Sequence, residues 1–259
     1  MKKQPVNVIK ILLVILITMV ACLLMLPFFQ NYQALKVSKM QVTTYRHTLP
    51  EKIQTTETIH GLALSDLVNL QGKNHDAIGN VLIPRIGLYD NIYTGLTNGN
   101  LAIGAVTLFP ERLPENHNVV LIGHNMGFKS IHFGVLSTVR VHDNIFLNYL
   151  NHYYQYTVSS VETIKETNLD KIADTNDSIL RLITCSSAQR TPNRILVSAK
   201  FAKKLEKQDL TSVLQKTNRE NNKQMNISLM YHVWLPILLI IFGYIVMLWI
   251  VLKLLTKLK

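Results

Sequence analysis

Cys185 ends the apolar run Leu182-Ile183-Thr184. Nine residues later Arg194 opens Ile195-Leu196-Val197, and sixty-one residues before Cys185, His124 follows Leu121-Ile122-Gly123. A thiol, an imidazole and a guanidinium, each at the edge of an apolar run, are the parts of an acyl-transfer site. The thiolate is the attacking form of cysteine. At the usual pKa values of about 8.5 for Cys and about 6.5 for His, an untuned pair at neutral pH is mostly thiol and neutral imidazole. A guanidinium stays charged at any relevant pH, so it favours the thiolate and can bind a developing oxyanion. The imidazole can protonate a leaving amine and later take a proton from an incoming one. Together these groups suit a thioester route.

Residue types alone leave other assignments open. Of the nine histidines, His132 and His142 compete with His124, and Arg190 competes with Arg194. Changing any competitor is expected to matter much less than changing His124 or Arg194. The scattered histidines lack zinc-ligand spacing, so no metal is expected. Glu111 and Glu115, ahead of His124, read as surface carboxylates, because calcium needs more oxygen ligands than two side chains supply.

The elements that must position these groups read as strands. From residue 81 onward, short runs of β-branched and aromatic residues alternate with turn residues. Strands are expected at 81–83, 88–93, 101–109, 119–122, 145–150, 153–161, 179–184 and 194–201. A hairpin turn is expected at Asn151-His152 and a helical turn over 131–139. Such a series predicts an all-β domain, an antiparallel barrel or sandwich. Strand ends on a rigid sheet hold side chains at fixed separations, as catalysis requires.

Two charge-free apolar stretches, 11–30 and 232–252, flank this region. Each is about the 20 residues needed to cross a ~30 Å hydrocarbon core. Outside them lie six lysines and no acidic residue, while the section between carries 21 basic and 16 acidic residues, or +5 of the chain's +11. The flanking lysines act as positive-inside signals. They put the tails 1–10 and 253–259 in the cytoplasm and the section between outside the cell. The charge therefore does not call for a nucleic-acid partner. Met19-Val20-Ala21-Cys22 loosely resembles a lipoprotein cleavage site, but the apolar run continues through Phe29, which reads as an uncleaved anchor. Residues 31–79 read as a stalk with a short helix at 59–70, residues 80–204 as the catalytic domain and 205–231 as a polar linker. With Cys22 in the span, Cys185 is the sole exported thiol, and it has no partner for a disulfide within its own chain.

The segment Leu182-Ile183-Thr184-Cys185 with Arg194 nine residues on resembles the sortase signature TLxTC…R, with Arg181 in place of the first Thr. Gly123-His124-Asn125 is similar to that family's histidine-bearing segment, and the likeness covers about 79–203. It implies an exported cysteine transpeptidase built as an eight-stranded β-barrel with short helices, flanked here by two transmembrane helices. By this resemblance Cys185 is the nucleophile, His124 the acid and base, and Arg194 the oxyanion or substrate-binding residue, with Thr184 and Asn125 beside the substrate. The substrate would be an LPXTG-like motif near a secreted protein's C-terminus, cleaved after Thr and transferred to an amine of the cell wall. No cofactor is implied. Pilin polymerisation through lysine is the alternative, and a membrane-tethered β domain that only binds a partner is a second one. Ser186-Ser187-Ala188 lacks the Thr-Pro-Tyr common in pilin-joining members, and no Asp-Pro-aromatic lid precedes residue 81. An anchoring role is therefore expected.

Overall fold

The computed structural model describes residues 5–38, 44–54, 59, 61, 76–128 and 131–257. Most of the helix expected at 59–70 falls outside them. The chain divides into two units: residues 34–226, and the helical unit formed by residues 1–33 and 227–259.

Eight strands close into a barrel: β1 (Gly79–Ile83), β2 (Leu88–Thr94), β3 (Ala105–Thr107), β4 (Val119–Ile122), β5 (Asn144–Tyr149), β6 (His152–Lys165), β7 (Ile179–Cys185) and β8 (Asn193–Leu205). Their order around the barrel is β8-β6-β5-β1-β2-β3-β4-β7, with β7 pairing back to β8. Closure leaves no open sheet edge. The expected antiparallel pairing holds at six seams, but β2–β3 and β4–β7 are parallel. The second parallel seam decides the site. It lays β4, which leads to His124, beside β7, which ends at Cys185.

Alternation sorts the side chains into two layers. Leu180 and Leu182 of β7, Val119 and Leu121 of β4, and Ile195 and Val197 of β8 fill the barrel with Val81, Ile92, Leu147 and Tyr156. The opposite parity of the same strands, Ile183, Val120 and Leu196, is also buried, under Leu108, Phe109, Ile164 and Ile172. Burial on both faces explains why these strands read as continuous apolar runs. The 3-10 helix His132–Thr138 plugs the barrel with Phe133, Val135 and Leu136.

Two local expectations shift. Residues 98–103 form the helix α2 (Asn98–Ile103), so only three residues of the 101–109 run are strand. Thr97 caps this helix by accepting from the Asn100 N–H at 3.1 Å, and the Asn100 amide donates to the carbonyls of Thr94 and Gly95. A short apolar run does not separate strand from helix by period alone, whereas the Thr97 cap is a start signal. The hairpin turn lies at Leu150-Asn151, one residue earlier than expected. Both residues have positive φ, 49° and 66°, as a two-residue turn matched to strand twist requires.

The flanking helices run past the apolar stretches. The N-terminal helix spans Pro5–Val37, and Ala34 and Val37 pack on the domain against Tyr93, Leu101, Ile103 and Val106. After the barrel comes the polar helix α3 (Lys207–Leu229), then a π-turn at Met230–Trp234 and the apolar helix α4 (Leu235–Lys257). Among the described residues, two helices are long and apolar enough to cross a membrane. Within the helical unit, the Thr18 hydroxyl meets the Tyr244 hydroxyl at 2.9 Å, and the rings of Tyr32 and Trp234 meet edge-on at 6.1 Å.

Candidate active site

Cys185 is the last residue of β7 and is half-buried. Its register partner on antiparallel β8 is Arg194. Directly opposed residues share a face, with Cβ atoms about 4.5–5.5 Å apart. On the other side, parallel β4 pairs Ile122 with Ile183, and the ladder continues with the Gly123 N–H donating to the Ile183 carbonyl at 3.0 Å. His124 follows two residues after Ile122, as Cys185 follows two after Ile183. The register sets Arg194 opposite Cys185 on β8, and His124 lies two residues beyond the end of β4, on the segment that leaves the strand beside β7. The parity is that of Ile183 and Leu196, the outward face whose apolar layer runs up to Cys185.

The strand ends are tied together by side chains. Thr184 points inward and is 1% exposed, and its hydroxyl donates to the Gly123 carbonyl at 2.8 Å. Asn125 donates through Nδ2 to the Cys185 carbonyl at 2.9 Å, while its Oδ1 accepts from the Gly127 N–H at 3.0 Å. Both residues, expected beside substrate, thus have their polar groups engaged by the backbone that carries His124 and Cys185. Gly123 is required here: a Cβ would lie 2.8 Å from Cγ of the Phe133 ring.

Arg194 is 21% exposed at its side chain. Nη1 donates to the carbonyls of Thr191 at 2.5 Å and Asn193 at 3.1 Å, and Nη2 donates to the Glu166 carboxylate. A guanidinium has five N–H groups, so two remain for a ligand once these three are counted. Glu166, at the end of β6, was not anticipated, because nothing in its local sequence links it to residue 194. Arg190 is exposed in the loop before β8, and His142 is exposed in the turn before β5.

His132 lies elsewhere than its rival. It is buried with Asp90: Nδ1 faces the two carboxylate oxygens at 3.1 and 3.2 Å, and Nε2 faces the Ala102 carbonyl at 3.0 Å. Burial favours the neutral imidazole, but the facing carboxylate and the carbonyl outweigh it and raise the His132 pKa. Burial likewise raises Asp90, and the imidazole offsets this only in part. A signal for Asp90 exists in the sequence: it shares parity with Leu88 and Ile92, two core residues of β2.

Glu115 is engaged by protein partners. Its carboxylate accepts from the Tyr154 hydroxyl at 2.5 Å and pairs with Lys204 at 3.2 Å. Burial works against its ionised form, but these two partners outweigh it and hold its pKa low. Among the described residues, no cluster of three potential metal ligands occurs. A recess of about 380 Å³ lined by Asn151, Tyr153, Lys204 and Lys207 opens at the β5–β6 turn and includes none of the residues around Cys185.

The Sortase domain family model matches residues 81–202. Sortase A of Listeria monocytogenes is 31% identical over 49% of this chain and 57% of its own length, so the chain spans little over half of that relative. A Bacillus subtilis protein named as a candidate sortase, YwpE, is 31% identical over 32% of this chain and 82% of its own length. The crystal structure of Listeria monocytogenes sortase A covers 51% of this chain and 92% of its own, at 31% identity and a TM-score of 0.49. The family match takes in the closed barrel and all three strand-end residues, and the chain belongs to the sortase family.

Proposed function

We propose that this protein is a membrane-anchored cysteine transpeptidase that cleaves an LPXTG-like sorting motif and passes the fragment on the amino-terminal side of the cut, through its Thr carbonyl, to an amine. The observation that carries this reading is the pairing of Cys185 with Arg194 across β7 and β8, with β4, which leads to His124, on the other side of β7. The Cys185 thiolate attacks the carbonyl carbon of the scissile Thr–X bond. The free N–H groups of Arg194 hold the resulting oxyanion, a charge the substrate acquires only on the way to the intermediate. The imidazolium of His124 gives its proton to the departing amine, and the C–N bond breaks to leave a thioester on Cys185. An incoming amine then attacks that thioester and loses a proton to His124, and the Cys185 thiolate departs. Leu108, Phe109, Ile164 and Ile172, the partly exposed residues that cover Ile183, Leu196 and Val120, offer apolar surface suited to the Leu and Pro of such a motif. Thr184 and Asn125 act by bracing the two strand ends rather than by reading the motif. The accepting amine belongs to a cell-wall precursor, and a pilin lysine is the alternative acceptor.

The lysine-bearing tails beside two candidate spans support a barrel on the outer surface, within reach of secreted proteins and lipid-linked acceptors. The test uses the full chain in detergent micelles with a fluorescent LPXTG-type peptide. Peptide release and a thioacyl adduct on Cys185 are expected, both lost in Cys185→Ala. Release that survives in Cys185→Ala overturns the reading. Product formed with an oligoglycine or similar precursor amine, but not with a pilin lysine peptide, separates anchoring from polymerisation.

A further inference from the structure

The mechanism leaves one buried polar cluster unused. We propose that Asp90 and His132 form a one-proton clamp that positions the His124-bearing segment for acyl transfer. This rests on the roles given above to Cys185, His124 and Arg194. His132 and Asp90 are 1% and 5% exposed at their side chains. The Ala102 carbonyl can only accept, so His132 Nε2 carries a hydrogen. Nδ1 and the Asp90 carboxylate then share one further proton, on nitrogen beside a carboxylate or on oxygen beside a neutral ring. Either arrangement is neutral overall and satisfies both ring nitrogens, which is what a buried polar pair requires.

The clamp joins three separate elements. Asp90 belongs to β2 and Ala102 to α2, while His132 opens the 3-10 helix that follows the His124 segment. His132 is held at φ +46°, a left-handed conformation that a side chain with a Cβ seldom adopts. From this residue the chain turns so that the next N–H, of Phe133, donates to the His124 carbonyl at 3.1 Å. The Phe133 ring lies against Gly123, the residue before His124. Both ends of the segment therefore refer to one anchor: His124 through Phe133, and Phe133 through His132 to β2 and α2. An apolar residue at 132 would fill the same space but would fix no direction. Hydrogen bonds at both ring nitrogens set the ring's orientation and the turn with it.

Asp90 and His132 touch no reacting atom in this scheme; they are positioning residues. The experiment uses the full chain in detergent. It measures peptide release (kcat and KM) and, by mass spectrometry of the Cys185 peptide, the pH dependence of Cys185 alkylation by iodoacetamide. Alkylation needs no sorting substrate, so it tests the clamp even if peptide release fails, and that failure would count against the proposed function alone. Asp90→Asn can donate an amide N–H to Nδ1 while Nε2–H still meets Ala102, and it should keep kcat within about threefold. Asp90→Ala should lose about tenfold or more in kcat per folded molecule, since small misplacements of a catalytic group are costly, with KM changed less than about twofold. It should also shift the alkylation pH profile, and Asp90→Asn should not. His132→Gly tolerates the left-handed backbone without the clamp and should behave like Asp90→Ala. It keeps the test open if that variant does not fold. The proposal is overturned if His132→Gly is folded with wild-type kcat and alkylation profile, or if Asp90→Asn is as damaged as the truncations.

Discussion

If Asp90 and His132 share a proton inside the barrel, the stability of the domain must fall as pH rises through neutrality. Unfolded, the two groups titrate at their ordinary values, 3.8 and 6.5, so above pH 6.5 neither keeps the extra proton. Folded, both pKa values are raised, and the pair retains one proton between them. Raised folded values mean that the contribution is complete below the unfolded value of His and is lost as pH rises through the folded one. In that window unfolding releases about one proton, which is about 1.36 kcal/mol per pH unit. Because the proton is shared, the two raised groups count once. Between pH 7.5 and 8.5 the unfolded histidine is almost wholly neutral, so stability falls, with one proton setting a ceiling of about 1.4 kcal/mol on the loss. For a domain of this size that ceiling corresponds to about 5 °C in melting temperature. The assay is near-UV circular dichroism melting of the full chain in detergent at the two pH values, for wild type and Asp90→Asn. In the variant His132 is neutral both folded and unfolded across this window, so its own slope should vanish. Contributions from groups other than this pair are common to both proteins and cancel in the difference. Parallel slopes for the two proteins would refute the shared proton.

Removing the Thr184 hydroxyl with Thr184→Val leaves the Gly123 carbonyl without a bond it accepts at 2.8 Å in the buried seam. The expected loss is about 1–3 kcal/mol in denaturant melts, with a drop in kcat because the next residue is His124. Wild-type stability would show that the seam is held by the backbone ladder alone. Glu166→Gln removes a half-exposed carboxylate that draws on the Arg194 charge, while the Thr191 and Asn193 carbonyls still orient the guanidinium. Exposed pairs are worth about 0.2–1 kcal/mol, so single-turnover acylation should quicken by no more than about fivefold at low salt. Slower acylation would mean that Glu166 holds the fork in its working orientation.

The proposed positioning role gives His132 more weight than the much smaller effect expected of it as a competitor of His124. Its removal is expected to damage the site through His124, whereas His142 and Arg190, both exposed, keep the small effect foreseen for them.

Much of the architecture is written in short-range pattern. The apolar runs with β-branched residues placed the strands, because each run is buried on one or both faces of a closed sheet and must carry apolar side chains there. The two long apolar stretches stand out for the same reason, as no charge interrupts them. Cys185, His124 and Arg194 stood out as candidates because each borders such a run, and the TC…R spacing is set by a single loop between adjacent antiparallel strands. The parallel seam between β4 and β7 was not legible. Nothing in the sequence around residue 122 names residue 183 as its neighbour, since strand pairing over sixty residues is chosen by the closure of the whole barrel. The helix at Asn98–Ile103 was missed because six residues are too few to show a period. The engaged roles of Thr184 and Asn125, the Glu166 partner of Arg194 and the Asp90–His132 pair all depend on which strands lie side by side. Sequence determined the chemical groups and the strands that carry them, because those follow from residue type and local period. Tertiary structure alone decided that His132 is sealed inside with a carboxylate, because burial and hydrogen-bond partners are properties of the closed barrel.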